Sequence, residues 1–160
     1  MSSLQETNQP KAAQGAVTLY AAAAFISLIG LADSIYLTVE HLSGRSVRCT
    51  IVSGCSEVLS SPYATVRGVP LALLGAIAYF TVFSLATLAA FGYRWTGKLL
   101  TLVVVIMFAM TLWLLYLQAF VIGHFCQFCL LSALVTTVLM VLVIAALRAV
   151  SNRSHQNREP

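Results

Sequence analysis

Residues 99–122 read LLTLVVVIMFAMTLWLLYLQAFVI, and GHFCQFC follows at residues 123–129. This apolar run exceeds the roughly 20 residues that a helix needs to cross about 30 Å of hydrocarbon. Comparable runs occupy residues 17–39, 69–91 and 130–147. Because backbone polar groups in lipid must be satisfied within their own segment, each run predicts a transmembrane helix. We therefore expect an all-α membrane protein, a four-transmembrane-helix bundle.

The composition supports lipid as the solvent. Of the 160 residues, 59% are hydrophobic and 9% are charged, whereas about 25% are charged in soluble domains. The basic residues form no patch among aromatics, so nucleic acid is not an expected partner. We expect a polar N-terminal tail at residues 1–15, one membrane domain at 16–150 and a polar cytoplasmic tail at 151–160. A cleavable signal peptide at 11–34 is the competing interpretation; the apolar run is too long for it and lacks a basic flank.

The basic residues near the ends of the runs predict the orientation. Three lie on the side of the first long connection, and six lie on the other side: Lys11, Arg94, Lys98, Arg148, Arg153 and Arg158. This asymmetry predicts that both termini are cytoplasmic, which for a bacterial protein would mean the inner membrane. The long connection at residues 41–68 and the CQFC sequence then face the outer compartment, where disulfides persist.

The four cysteines form two pairs on that outer side. Cys49 and Cys55 lie in the long polar connection, and Cys126 and Cys129 form a CxxC motif at the predicted start of the fourth helix. A CxxC pair can cycle between dithiol and disulfide. The free N–H groups of a helix N-terminus lower the pKa of a cysteine placed there. Two such pairs on one membrane face predict a thiol relay.

Two other interpretations of the cysteines remain. They could form two structural disulfides, although a CxxC disulfide closes too small a loop to stabilise much. They could instead bind zinc, although a C-x5-C spacing is not typical of zinc ligands. Phe125 and Phe128 also indicate an apolar setting. We therefore expect no metal.

Three neighbouring features bear on the same site. The distribution of apolar and polar side chains along residues 53–61 predicts a short interfacial helix in the first outer loop. Pro62 would end this helix. His124 precedes the motif and could carry protons or simply lie at the interface. Asp33 is an acid within a span, which makes it a functional candidate. It also lies near the outer end, where water or a local hydrogen bond could satisfy it.

The chain resembles the bacterial members of the vitamin K epoxide reductase family. The resemblance rests on four stretches in this order: Asp33-Ser34-Ile35-Tyr36-Leu37, then Cys49 and Cys55 with SEVLSS after them, then Gly68-Val69-Pro70-Leu71 to Gly75, and Phe125-Cys126-Gln127-Phe128-Cys129-Leu130. The other bacterial family of disulfide-generating membrane oxidases carries its CxxC in the first outer loop, whereas here it comes second.

The resemblance implies a bundle that holds a quinone, ubiquinone or menaquinone, near the outer leaflet. It implies that Cys129 delivers electrons to the quinone, that Cys126 exchanges with Cys55, and that Cys49 exchanges with an outside protein. The helix after Cys55 would cap the quinone pocket.

The resemblance also suggests pocket residues, namely Ser60, Ser61, Leu71 and Ala133. Animal members of the family carry an asparagine and a tyrosine at the positions of Leu71 and Ala133. An ordinary respiratory quinone is therefore expected in place of vitamin K epoxide.

The expected partner is a separate periplasmic thioredoxin-fold dithiol oxidase. The expected activity is that of a quinone-dependent thiol-disulfide oxidoreductase, which supports disulfide bond formation. The alternative is a non-enzymatic membrane protein whose cysteines form structural disulfides or a metal site. Reverse electron flow, from quinol to outside disulfides, is also compatible with the sequence because exchange chemistry is symmetric.

Overall fold

Four long helices form an all-α membrane bundle. The computed structural model describes residues 11–44 and 54–156. Helices α1 (Lys11–Leu42), α3 (Leu71–Ala90), α4 (Arg94–Tyr116) and α5 (Gln127–Gln156) are joined by shorter elements. Four stretches are long and apolar enough to cross a membrane: Gln14–Leu42, Leu71–Ala90, Trp95–Ile122 and Gln127–Ser151. The predicted fold class is confirmed.

The helices extend beyond the apolar runs that predicted them. Helix α1 begins at Lys11, within the predicted polar N-terminal tail, and α5 continues to Gln156, within the predicted C-terminal one. Alanine, lysine, arginine and glutamine favour the helix even where lipid does not require it. Apolarity therefore predicted where the chain crosses the membrane, but not where the helices end.

The core of the bundle is built from small and branched residues. Helix α1 packs against α3 and α5, and α4 packs against α3 and α5. Six of the fully buried core residues are Ala23, Val82, Ala86, Leu100, Val104 and Leu139. Large apolar side chains such as Phe25 and Phe120, which are 73% and 77% exposed, cover the outside. This arrangement suits a bundle surrounded by lipid, where small residues let helices approach closely.

Tyr79 joins three of the helices. A Cβ atom on Gly30 of α1 would collide with the Tyr79 ring, so the glycine makes room for that ring. The Tyr79 hydroxyl hydrogen-bonds to the hydroxyls of Ser132 and Thr136 on α5, at 2.7 and 3.0 Å. Interhelical hydrogen bonds of this kind contribute about 0.6 kcal/mol on average in membranes. They align α3 with the start of α5.

The first outer connection contains a short helix, α2 (Cys55–Leu59), as predicted. A 3₁₀ turn (Pro62–Ala64) follows, and then a small antiparallel hairpin of β1 (Thr65–Val66) and β2 (Val69–Pro70). Arg67 and Gly68 both have positive φ, 52° and 82°, as the tight two-residue turn of a hairpin requires. We did not predict this hairpin, although β-branched residues on both sides of a glycine turn could have indicated it. We call the segment of residues 54–70 the cap.

Candidate redox site

The cap and the start of α5 bring two cysteines together. Cys55 is the first residue of α2, and Cys126 immediately precedes α5. Their Sγ atoms lie 3.6 Å apart, and the two residues are 1% and 0% exposed. Cys55 is disulfide-bonded, whereas Cys126 and Cys129 are free thiols. Cys49, the other predicted relay cysteine, lies outside the described residues.

This separation is suited to thiol–disulfide exchange. Exchange proceeds by attack of a thiolate on one sulfur of a disulfide, through a mixed disulfide. The free Cys126 sulfur is next to a sulfur that already belongs to a disulfide. A small movement would bring the two sulfurs within bonding distance. The geometry therefore pairs Cys126, rather than Cys129, with the cap.

The local structure stabilises the thiolate form of Cys126. A hydrogen bond from the Cys129 thiol, helped by the backbone N–H groups of Cys129 and Phe128, lowers the pKa of Cys126 to about 7, although burial opposes the shift. Those N–H groups are unpaired within α5 because they belong to its first turn. The position of the motif at the start of a helix therefore supplies the thiolate that exchange requires.

Gln118 holds the backbone just before α5. Its Oε1 atom accepts a hydrogen bond from the Cys126 N–H at 3.1 Å, and its side chain is 2% exposed. Its amide also lies within reach of the Cys129 thiol. Gln118 belongs to a π-helical segment, Leu117–Ile122, that continues α4, and such segments are frequent at functional sites. We missed this residue, although a single amide within a long apolar run could have indicated it.

Gly54 lets the cap lie against the same segment. A Cβ atom at this position would lie 2.7 Å from the Phe125 carbonyl oxygen and 3.1 Å from the His124 Cβ. Any larger residue would push the cap away from the backbone that carries Cys126. Gly54 was not among the predicted residues, because nothing local to it reveals a contact with a segment seventy residues later. His124 itself is exposed beside this contact.

A cleft opens beside Cys129, beneath the cap. Its cavity volume is about 150 Å³, and the cleft is partly open to the outside. Helices α1, α3, α4 and α5, the π-helical segment and the cap all contribute to its wall. The wall is mostly apolar, and its few polar residues include Asp33, Ser61, Thr111, Gln118 and Ser132.

The predicted pocket residues divide into two groups. Ser61 and Leu71 line the cleft, whereas Ser60 and Ala133 do not. Ser60 is exposed on the cap, and Ala133 is buried at 9% exposure. The hydroxyl of Ser61 donates to the Val58 carbonyl at 2.7 Å, which holds the end of α2. A role of these four residues in binding a quinone stays a prediction.

Asp33 differs from both environments that we considered for it. It is only 8% exposed, and its Oδ2 atom has no hydrogen-bond partner among residues 11–44 and 54–156. It is therefore neither openly solvated nor locally paired at that atom. Its position near the outer end of the span suggested access to water, but the folded protein buries it.

Within the described part of the chain, no three His, Cys, Asp or Glu side chains are arranged to hold a metal ion.

The chain is similar to known proteins over much of its length. The sequence model of the vitamin K epoxide reductase family matches residues 21–144, which include both Cys126 and Cys129. A thiol-disulfide oxidoreductase of Arabidopsis thaliana, LTO1, is 42% identical over 55 residues. That alignment covers 34% of this chain and 15% of the plant protein.

Proposed function

The chain belongs to the vitamin K epoxide reductase family, and we propose that it is a thiol:quinone oxidoreductase. In this proposal the protein passes electrons from a periplasmic thioredoxin-fold protein, through its two cysteine pairs, to a membrane quinone. The observation that carries the proposal is the 3.6 Å separation between Cys126 Sγ and the disulfide-bonded Cys55 Sγ. The name of the plant relative, a thiol-disulfide oxidoreductase, supports the same reaction class.

The first half of the reaction moves two electrons from the cap to the CxxC pair. The partner dithiol reduces the disulfide of Cys49 and Cys55, and its own cysteines become a disulfide. The Cys55 thiolate attacks Cys126, the Cys126–Cys129 bond breaks, and Cys129 leaves as a thiolate. Cys49 then attacks Cys55, which frees Cys126 and restores the cap disulfide. The free thiols of Cys126 and Cys129 correspond to the state after this transfer.

The second half requires an acceptor beside Cys129, and the cleft fits a quinone. Its apolar wall suits a ring and an isoprenoid tail, and the Gln118 side-chain amide N–H could donate a hydrogen bond to a quinone oxygen. When bound, a quinone such as ubiquinone or menaquinone accepts two electrons and two protons. Cys129 would face it, and Leu71 and Ser61 would enclose it from α3 and the cap.

The orientation belongs to this proposal as well. Lys98 and Arg148 lie at one end of the bundle, and the cysteines lie at the other. Since basic residues favour the cytoplasmic side, both termini would be cytoplasmic and the cysteines would face the outside of a bacterial inner membrane. A thioredoxin-fold partner would then meet the cap in the oxidising compartment.

The test is quinone reduction by the purified protein in detergent. A reduced thioredoxin-fold oxidase serves as donor, and a short-chain ubiquinone or a naphthoquinone serves as acceptor. We expect Cys129→Ala to abolish quinone reduction, while Thr137→Ala, an exposed position on the same helix, leaves it unchanged. Full activity in Cys129→Ala, or no reduction of either quinone by the intact protein, would contradict the proposal.

A further inference from the structure

One titratable group in the cleft has no part in the relay described above. Asp33 is more than nine-tenths buried, lies within a membrane span, and lines the same cleft as Cys129. Its Oδ2 atom has no hydrogen-bond partner within residues 11–44 and 54–156. A structural carboxylate would be expected to show such partners, because an unpaired buried charge is costly. The position therefore indicates a group that exchanges a proton rather than one that holds the fold together.

The surroundings of Asp33 contain little else that can compensate a charge. The other titratable residues that line the described part of the cleft are His41, Tyr63 and Cys129, and neither lysine nor arginine is among them. From α3, Tyr79 is near enough to Asp33 for an electrostatic interaction. Asp33 interacts in the same way with both cysteines of the CxxC motif.

Negative charges on Asp33 and on Cys126 repel each other. The hydrogen bond from Cys129 lowers the pKa of Cys126, whereas a negative charge on Asp33 raises it. Two like charges that share a poorly solvated site do not both ionise readily. A thiolate at Cys126 therefore favours a protonated Asp33, and loss of that thiolate on disulfide formation favours the carboxylate.

We propose that Asp33 is the proton carrier of the cleft, taking up a proton when the CxxC pair is reduced and donating it to the acceptor when the pair is oxidised. This inference rests on the proposed function for the identity of the acceptor. The reduced site would hold two protons, one on the Cys129 thiol and one on the Asp33 carboxyl, with Cys126 as the thiolate.

The reaction then balances without any other group. A disulfide bond forms between Cys126 and Cys129, and their electron pair passes to the quinone. The Cys129 S–H bond and the Asp33 O–H bond break, and the two protons end on the two quinone oxygens to give quinol. Asp33 is left as a carboxylate and regains its proton from the thiols that next reduce the pair. The net charge of the site is the same before and after.

The first test needs no quinone. An infrared difference spectrum between the dithiol and disulfide forms of the purified protein should contain the C=O stretch of a protonated carboxyl group in the dithiol form only. The band should vanish in Asp33→Asn. It should persist in Glu40→Gln, which removes an acid from the same helix but outside the cleft wall. A band absent from the intact protein, or unchanged in Asp33→Asn, would overturn the proposal.

The second test measures turnover. Positioned acid–base groups accelerate a reaction roughly 100-fold or more. The rate of quinone reduction should therefore be about 100-fold lower in Asp33→Asn than in the intact protein. Exchange between the cap and the CxxC pair, followed with a small dithiol, should change less than about threefold, which also shows that the variant is folded. Asp33→Glu should restore both the infrared band and part of the turnover.

The two proposals fail in different ways. If the intact protein reduces quinone and Asp33→Asn does so equally fast, the proton carrier is wrong and the proposed function stands. If the intact protein reduces neither quinone but shows the redox-linked carboxyl band, the proton carrier is supported and the proposed acceptor is wrong.

Discussion

Two halves of the bundle show different uses of buried residues. One half, which we call the packed half, contains the core around Leu100, Val104 and Leu139. The other, the cap half, contains the cap, the start of α5 and the cleft. There the buried apolar cluster is small, with Cys55 and Cys126 among its few members, and the buried Asp33 and Gln118 lie near it.

The difference separates stability from chemistry. The packed half buries apolar groups tightly, which holds the helices at fixed positions. The cap half keeps an open cleft and buries the Asp33 carboxyl group with its Oδ2 unpaired among the described residues, which costs stability. Because the packed half holds the helices in place, the cap half can carry reactive groups while the protein stays folded. Substitutions in the two halves should therefore have opposite effects on stability and activity.

The largest expected effect is that of Cys126→Ala on activity. It removes the sulfur that lies 3.6 Å from Cys55 Sγ, so electron transfer from the cap should fall below detection. The thermal unfolding midpoint should stay near that of the intact protein, since alanine also suits a buried apolar site. The measurement is the oxidation of a reduced thioredoxin-fold donor beyond the first equivalent, because the cap disulfide alone can oxidise one equivalent. Retained oxidation would mean that the cap exchanges with Cys129 instead.

The opposite pattern is expected for Leu139→Ala in the packed half. Leu139 is 0% exposed, and removal of a buried leucine side chain costs about 2–5 kcal/mol. The free energy of unfolding should fall by that amount, while the activity of the folded fraction stays near that of the intact protein. The control is Leu134→Ala on the same helix, at a position 62% exposed. Equal destabilisation by both would show that the core is not where the structure places it.

Gly54→Ala tests how closely the cap must lie against α5. A Cβ atom there would approach the Phe125 carbonyl oxygen to 2.7 Å, so the cap must move and separate Cys55 from Cys126. We expect exchange between the two cysteine pairs to slow by about tenfold, with little loss of stability. Gly15→Ala is the matched control, since its Cβ would meet no atom within 4 Å. Unchanged exchange in Gly54→Ala would mean that the cap has room to adjust.

The smallest expected effect is that of pH on Cys126. Since the hydrogen bond from Cys129 lowers the pKa of Cys126 to about 7, the thiolate fraction should rise as pH increases through about 7 and level off above it. Ultraviolet absorbance of the thiolate in the reduced protein measures this directly. In Cys129→Ala the hydrogen bond is absent, so the midpoint should move to higher pH. An unchanged midpoint would mean that the helix N-terminus alone lowers the pKa of Cys126.

The sequence alone determined the membrane bundle and the cysteine motif. Four apolar runs specify four spans because lipid offers no hydrogen bonds to the backbone. The spacing of Cys126 and Cys129 and their place before an apolar run can likewise be recognised from a few neighbouring residues. The short helix at Cys55–Leu59 was also predictable, because its alternating pattern and the following proline lie within a few residues of each other.

Only the tertiary structure decided which sulfur meets which and what surrounds them. The contact between Cys55 and Cys126, the fit of Gly54 against Phe125 and the burial of Asp33 all join residues far apart in the chain. The single amide of Gln118 within an apolar run was a signal in the sequence, but its partner, the Cys126 N–H, was decided by the tertiary structure. Local sequence patterns reflect hydrophobicity and turn preference, whereas these contacts depend on how the four helices pack and on where that packing places the cap.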